Sequence, residues 1–351
     1  MSRSTFSLFT RLRTCLGLAA LASAVVAPGM AAAAPVKVIA SFSILGDIVE
    51  QVGGDDVVVT TLVGPDGDSH GFEPTPRDAR RLGDAQVLVI NGLDFETWLP
   101  RLQQASGFKG RLVVASEGVT PRAFDGSDVS EHAHDHDDDH GHDHDHKDSH
   151  DHKDDHDHKD DHDHDHAGHS HAGHDHGPID PHAWQNLANA AVYAQNIGRA
   201  LADVDPANAA DYQARAKAYA DRALALDATL KARFAALPAE RRKVVTSHDA
   251  FGYFGDAYGV TFIPVAGLST SAEPSAGDLV RIIEQVKREK VSAVFVENIS
   301  SPRLAEQIVR ETDAKIGGSL YSDALSGPGA PAATYLGMFE WNADQLVKAM
   351  Q

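Results

Sequence analysis

Cysteine is nearly absent: the 351-residue chain has one, Cys15. It lies within a segment that reads as a cleaved leader, so the mature chain has no disulfide and no thiolate ligand. Any transition metal must then be held by histidine, aspartate or glutamate. Cys15 also lacks the preceding Leu-Ala/Ser-Gly/Ala pattern of a lipid-attachment site. Long apolar runs are missing too. The stretch Leu16 to Val26 falls short of the roughly 20 residues needed to span a bilayer. No basic stripe exists to neutralise phosphates, which excludes nucleic acid as the expected partner. Nor is there an HExxH helix or a nucleophile elbow.

Arg3, Arg11 and Arg13 precede the apolar stretch, and the small-residue run Ala31 to Ala34 follows it. A positive region, a short apolar core and an A-x-A site describe a secretory signal peptide, residues 1–33, cut after Ala33. The mature protein is thus expected outside the cytoplasm.

The formal net charge of −20 is concentrated in one place. Between Glu131 and Gly177 seventeen acids and three lysines leave −14, and the rest of the chain carries an ordinary −6. This tract holds 18 of the 21 histidines and no Leu, Ile, Val or aromatic residue. They are His132, His134, His136, His140, His142, His144, His146, His150, His152, His156, His158, His162, His164, His166, His169, His171, His174 and His176. A segment without apolar surface cannot offset its ordering entropy, so a disordered loop is predicted over 125–178. Imidazole beside carboxylate suits zinc, nickel and copper, making an accessory metal array; a solvated linker is the plainer alternative.

The flanks alternate apolar runs with helical patterns, which predicts an α/β fold of mainly parallel sheets with crossover helices. An N-terminal lobe over 34–124 contains strands at Val36–Ser41, Val57–Leu62, Val87–Asn91 and Arg111–Ala115. Its helices fall at Ile44–Val52, Pro76–Ala85 and Phe95–Gln104. A helical segment covers 179–205. Pro206 then opens, and Pro238 ends, a linking helix over 206–238. The C-terminal lobe, 239–351, has strands at Lys243–Ser247, Val260–Ile263, Ala293–Glu297 and Lys315–Gly317. Helices alternate with them at Ala250–Tyr258, Ser275–Lys290 and Pro302–Thr312. Ser275 and Asp278 have capping-box spacing.

Outside the tract only His70, His182 and His248 remain. Each stands where a loop meets a strand or helix: His70 beyond Val57–Leu62, His182 ahead of a helix, His248 at the end of Lys243–Ser247. Any one alone reads as a structural histidine. Together, in a chain with a long histidine tract, shared metal coordination is the more economical reading. A fourth ligand would be a carboxylate, with Asp249, Glu273, Asp323 and Glu340 all open. Asp180, Glu73 and Asp249 are candidates for orienting the rings.

Five segments resemble the zinc- and manganese-specific periplasmic solute-binding proteins of ABC importers. They are Asp68-Ser69-His70-Gly71-Phe72-Glu73-Pro74, Asp180-Pro181-His182-Ala183-Trp184, Ser247-His248-Asp249-Ala250-Phe251-Gly252-Tyr253-Phe254, Val296-Glu297-Asn298 and Tyr321-Ser322-Asp323-Ala324-Leu325. The resemblance implies two lobes joined by a rigid helix, with metal held by His70, His182, His248 and Asp323 between them. Manganese-specific members usually carry glutamate where His248 stands, so the resemblance favours zinc. It also implies membrane permease and ATPase subunits as partners, and a periplasmic zinc chaperone is a further candidate. A monomer that is no enzyme is expected. The alternatives are a manganese or other divalent-metal binder of the same type, a secreted zinc hydrolase using the three histidines, and a metal buffer acting through the tract.

Overall fold

In the computed structural model, residues 34–124, 179–268, 270, 274–291 and 293–351 are described. The leader, the histidine tract and Glu273 lie outside them.

The first lobe is a four-stranded sheet with helical crossovers. Its strands are β1 (Val36–Phe42), β2 (Val57–Val63), β3 (Val87–Ile90) and β4 (Arg111–Val114), in the order β2-β1-β3-β4. Every pairing is parallel. Helices α1 (Ser43–Gly53), α2 (Pro76–Gly83) and α3 (Leu99–Ser106) make the crossovers. β3 is buried along its whole length, the consequence of covering a central parallel strand on both faces. Thr75 and Asp78 cap α2 reciprocally, and Pro76 occupies its first turn.

Strands β5 (Arg122–Ala123) and β6 (Ile179–Asp180) form a two-residue antiparallel ladder. They are followed by α4 (Leu187–Val204), capped by Asn186, and the 27-residue α5 (Ala209–Ala235). At 1.5 Å per residue α5 is about 40 Å long. Near its start, Arg215 donates to the Val52 and Gly53 carbonyls that end α1, both at 2.8 Å.

The second lobe repeats the plan. Its strands β7 (Lys243–Thr246), β8 (Thr261–Pro264), β9 (Ala293–Glu297) and β10 (Lys315–Leu320) run parallel in the order β10-β9-β7-β8. Helices α6 (Gly252–Tyr258), α7 (Ala276–Glu289), α8 (Arg303–Glu311) and α9 (Tyr335–Met350) flank them. Late in α5, Asp227 accepts from Tyr258 of α6 at 3.1 Å, and Arg233 pairs with Asp344 of α9 at 2.7 Å. One helix therefore grips both lobes, as the sequence pattern predicts. A continuous core runs from Phe42 through Trp184 and Phe234 to Phe339. No described helix is long and apolar enough to cross a membrane.

Four local features differ from expectation. α3 begins at Leu99 rather than Phe95. Leu93 and Asp94 have positive φ, and the buried Glu96 carboxylate accepts from the Asn91 and Gly92 amides and from Ser41. Those bonds fix residues 93–98 as a turn. β10 continues to Leu320 through a bulge between Ile316 and Gly318, where the two glycines hide the strand pattern. The β5–β6 ladder is too short to show a period. α9 was not anticipated, although Thr334 caps it and Tyr335, Met338, Phe339, Leu346 and Met350 are buried at helical spacing.

α4 crosses α5 closely because residue 198 is glycine. A Cβ there would lie 2.7 Å from the Ala216 Cβ and 3.3 Å from the Tyr212 carbonyl oxygen. Gly198→Val is expected to destabilise the protein by about 1–3 kcal/mol through overpacking. Denaturant unfolding would show it as a lowered midpoint, and an unchanged midpoint would contradict this account of the contact.

Candidate metal centre

The three leftover histidines and Asp323 come together on the loops that follow β2, β6, β7 and β10. One ligand-type atom from each of His70, His182, His248 and Asp323 lies within 4.8 Å of all the others. His70 Nε2 and His248 Nε2 each stand 3.1 Å from Asp323 Oδ2. His182 Nε2 lies 3.4 Å from His70 Nε2 and 3.8 Å from Asp323 Oδ1. Tetrahedral coordination at about 2.0–2.2 Å requires donors about 3.3–3.6 Å apart, a range close to the 3.1 and 3.4 Å spacings here.

Each side chain is aimed by its own stretch of backbone. His70 follows β2 through a turn in which Asp66 has positive φ. Asp68 Oδ1 accepts from the His70 amide at 2.9 Å and closes that turn, while its Oδ2 accepts from Thr270 of the other lobe at 2.7 Å. His182 lies between β6 and α4. Asp180 Oδ1 accepts from both its amide, at 2.9 Å, and its Nδ1, at 2.8 Å. That contact makes Nδ1 the protonated nitrogen and presents Nε2 to the centre. The preceding carbonyl, Pro181 O, accepts from Asn91 Nδ2 at 2.9 Å, anchoring this loop to the first sheet. His248 comes just after β7. Its amide donates to Glu297 Oε1 at 2.9 Å, and its Nδ1 stands 2.5 Å from Glu297 Oε2.

Asp323 sits beyond β10 on a loop tied across the lobes. Trp184 Nε1 and Gln185 Nε2 donate to Ser322 O at 2.9 and 2.6 Å. Leu325 donates its amide to Ser43 Oγ at 2.9 Å, and its carbonyl accepts from the Asp66 amide at 2.8 Å.

The other acidic candidates fall elsewhere. Glu340 is exposed on α9, and Glu73 is exposed beyond the His70 turn. Asp249 is half-buried beside Asp180 and Arg122, where burial raises its carboxyl above the usual range. The residue against His248 is instead Glu297, which lies 49 positions away, so sequence proximity could not reveal it. Its only sequence signal is the Val296-Glu297-Asn298 motif.

Burial is nearly complete: His182 and Asp323 have no exposed surface, His248 has 1 % and His70 4 %. Desolvation drives the His70 imidazole below its ordinary range against the pull of Asp323. Desolvation acts on His248 in the same sense, but Glu297 and Asp323 outweigh it and raise that imidazole well above 6.5. At Asp323 burial is likewise overcome, here by His248 and His182, and the carboxyl falls well below 3.8. The carboxylates of Glu297 and Asp323 thus favour the protonated form of His248.

The profile of the family described as zinc-uptake complex component A, periplasmic (ZnuA), matches residues 38–349. This chain belongs to the zinc-uptake complex component A family. Among curated relatives, the iron-binding protein YfeA of Yersinia pestis is 29 % identical over 312 residues, 89 % of this chain and 85 % of that protein. The manganese ABC transporter substrate-binding lipoprotein PsaA of Streptococcus mitis is 27 % identical, covering 90 % of this chain and 89 % of its own. Among solved structures, the periplasmic zinc binding protein TroA from Treponema pallidum superposes with a TM-score of 0.71 at 26 % identity. That match covers 90 % of this chain and 99 % of TroA. A Mn-bound periplasmic metal binding protein from Candidatus Liberibacter asiaticus gives 0.69 at 28 % identity, covering 90 % of this chain and all of that one. The two-lobed α/β architecture is thus that of the family. As a member, the chain is a solute-binding transport protein for metal and works with an ABC importer.

The charge balance dictates a pH response. Because Glu297 and Asp323 favour protonated His248, metal held by this imidazole would be expected to release protons on loading and to bind more weakly on acidification. Because folding raises the His248 pKa, its contribution to metal-free stability is full below 6.5 and lost as pH rises through the raised value. For Asp323 the folded pKa is lowered, so its contribution holds above 3.8 and disappears as pH falls through the lowered value. Calorimetry of metal binding in buffers of different ionisation enthalpy should show net proton release near neutral pH. Proton-free binding would contradict this picture.

Proposed function

We propose that this protein captures zinc in the periplasm and delivers it to the permease and ATPase subunits of an ABC importer. His70, His182, His248 and Asp323 hold the ion between the lobes. The observation that carries the reading is the donor set: three imidazole nitrogens and one carboxylate, all buried and within 4.8 Å of one another. Zinc accepts such a set readily, whereas manganese favours more oxygen ligands. The relatives bear names of iron, manganese and zinc proteins, so the support for zinc comes from this chain's own donors.

Residues 1–33 serve as the export signal. The tract at 125–178 is an accessory collector that raises the local zinc concentration near the centre, since tethering lets weak ligands act at high effective concentration. A periplasmic zinc chaperone is a candidate donor to it, and the protein acts as a monomer.

Metal analysis and competition titration on the mature chain test the reading. One tightly held zinc per molecule is expected, and it should survive deletion of residues 131–177 while weaker, multiple binding disappears. If tight binding vanished with the tract, the central site would be the wrong assignment.

Single changes His70→Ala, His182→Ala, His248→Ala and Asp323→Ala should each weaken zinc more than about 100-fold, beyond the 10–100-fold typical of a lost orienting partner. His248→Glu should narrow or reverse the preference for zinc over manganese, read by competition between the two ions. An unchanged preference would remove His248 as the determinant.

A further inference from the structure

Arg122 has no place in the ligand set, yet it touches the carboxylate that aims one ligand. Asp180 is fully buried and its two oxygens divide the work. Oδ1 accepts from His182, and Oδ2 lies 3.4 Å from Arg122 Nη1. The same guanidinium donates through Nε to Asp256 of α6 at 3.0 Å. Backbone contacts reinforce the arrangement. Arg122 and Asp180 are paired residues of the β5–β6 ladder. The Arg122 amide donates to Tyr253 Oη at 2.8 Å, and Tyr253 Oη donates onward to Asp180 O at 3.2 Å.

Gly252, at the start of α6, leaves room for this pair. A Cβ at that position would lie 2.5 Å from Arg122 Nη1 and 2.6 Å from Asp180 Oδ2. Both distances are shorter than real Cβ contacts, so a side chain at 252 and the present pair exclude one another. A sequence-level sign of the device is thus a glycine facing an arginine 130 positions earlier.

We propose that Arg122 is a positioning residue for the metal. It holds the Asp180 carboxylate so that Oδ1 meets His182 Nδ1 and Nε2 faces the ion. A buried carboxylate with one side on a ligand needs a fixed partner on the other, or its plane can turn away. Arg122 supplies that partner from the strand that immediately precedes the histidine tract, while Asp180 lies on the strand that follows it. The two roots of the tract are therefore built into the support of a ligand. This inference rests on His182 acting as a ligand.

The test uses the mature, full-length chain with zinc competition titration and the visible spectrum of the cobalt(II)-loaded protein. Arg122→Gln is expected to weaken zinc about 10–100-fold and alter the cobalt bands, as loss of an outer-shell partner does. Arg122→Lys, which keeps the charge, should recover part of the affinity and the wild-type band positions. Gly252→Ala should move both readouts in the direction of Arg122→Gln by displacing the pair without removing either charge. Wild-type affinity and spectrum in a folded Arg122→Gln protein would overturn the proposal. So would an affinity loss with unaltered bands and no recovery by lysine, which would mark a merely structural role. Should Arg122→Gln fail to fold, Gly252→Ala decides, and a wild-type result there overturns the proposal. His182→Ala keeps the two readings apart. Undiminished zinc binding in that variant would defeat the ligand assignment itself, whereas His182-dependent, Arg122-independent binding defeats only this inference.

Discussion

A carboxylate with no solvent contact must be compensated, and Asp323 is compensated almost wholly by groups from elsewhere in the chain. Its charge draws His70 from one lobe, His182 from the segment before α4 and His248 from the other lobe. The bonds holding its loop cross the same seam, to Ser43, Asp66, Trp184 and Gln185. Juncture and metal centre are consequently one structure. The strands explain why this is possible. β2, β7 and β10 all end toward the seam, and parallel sheets present functional loops at the carboxyl ends of their strands.

Around the four candidate ligands lies a second set of carboxylates, Asp180 and Glu297. Asp180 fixes His182 through Nδ1, and Glu297 stands against Nδ1 of His248. In both, the inner nitrogen is left facing the centre. Such partners raise the basicity of the rings and remove their freedom to turn. Glu297 and Asp323 together favour the protonated form of His248 against the cost of burial.

Much of this was legible in the sequence because two signals survive without tertiary information. Subtracting the tract isolates His70, His182 and His248, and the apolar runs of β1 to β4 and β7 to β9 announce parallel strands. Asp180 was readable too, being two residues from the ring that it holds. The choice of Asp323 among four acids was not; it came from the resemblance to a family, and the structure supplies the geometry. Glu297 and Arg122 were invisible as supports because their partners lie 49 and 58 positions away. Glu73 looked equally near His70, but an exposed carboxylate beside a turn orients nothing. α9 is the exception, since its buried residues keep helical spacing and Thr334 caps it, so its pattern was readable.

The β5–β6 ladder has a consequence for how the chain tolerates its own insertion. Ala123 pairs with Ile179, so the described residues on the two sides of 125–178 are held side by side. The entropy of closing such a loop grows only logarithmically, by about 0.6 kcal/mol for each doubling of length. By that measure a connection between adjoining strand ends can lengthen at little cost to the fold that holds them. A foreign domain with adjoining termini, a fluorescent reporter for example, is the kind of insert that such paired ends would accommodate.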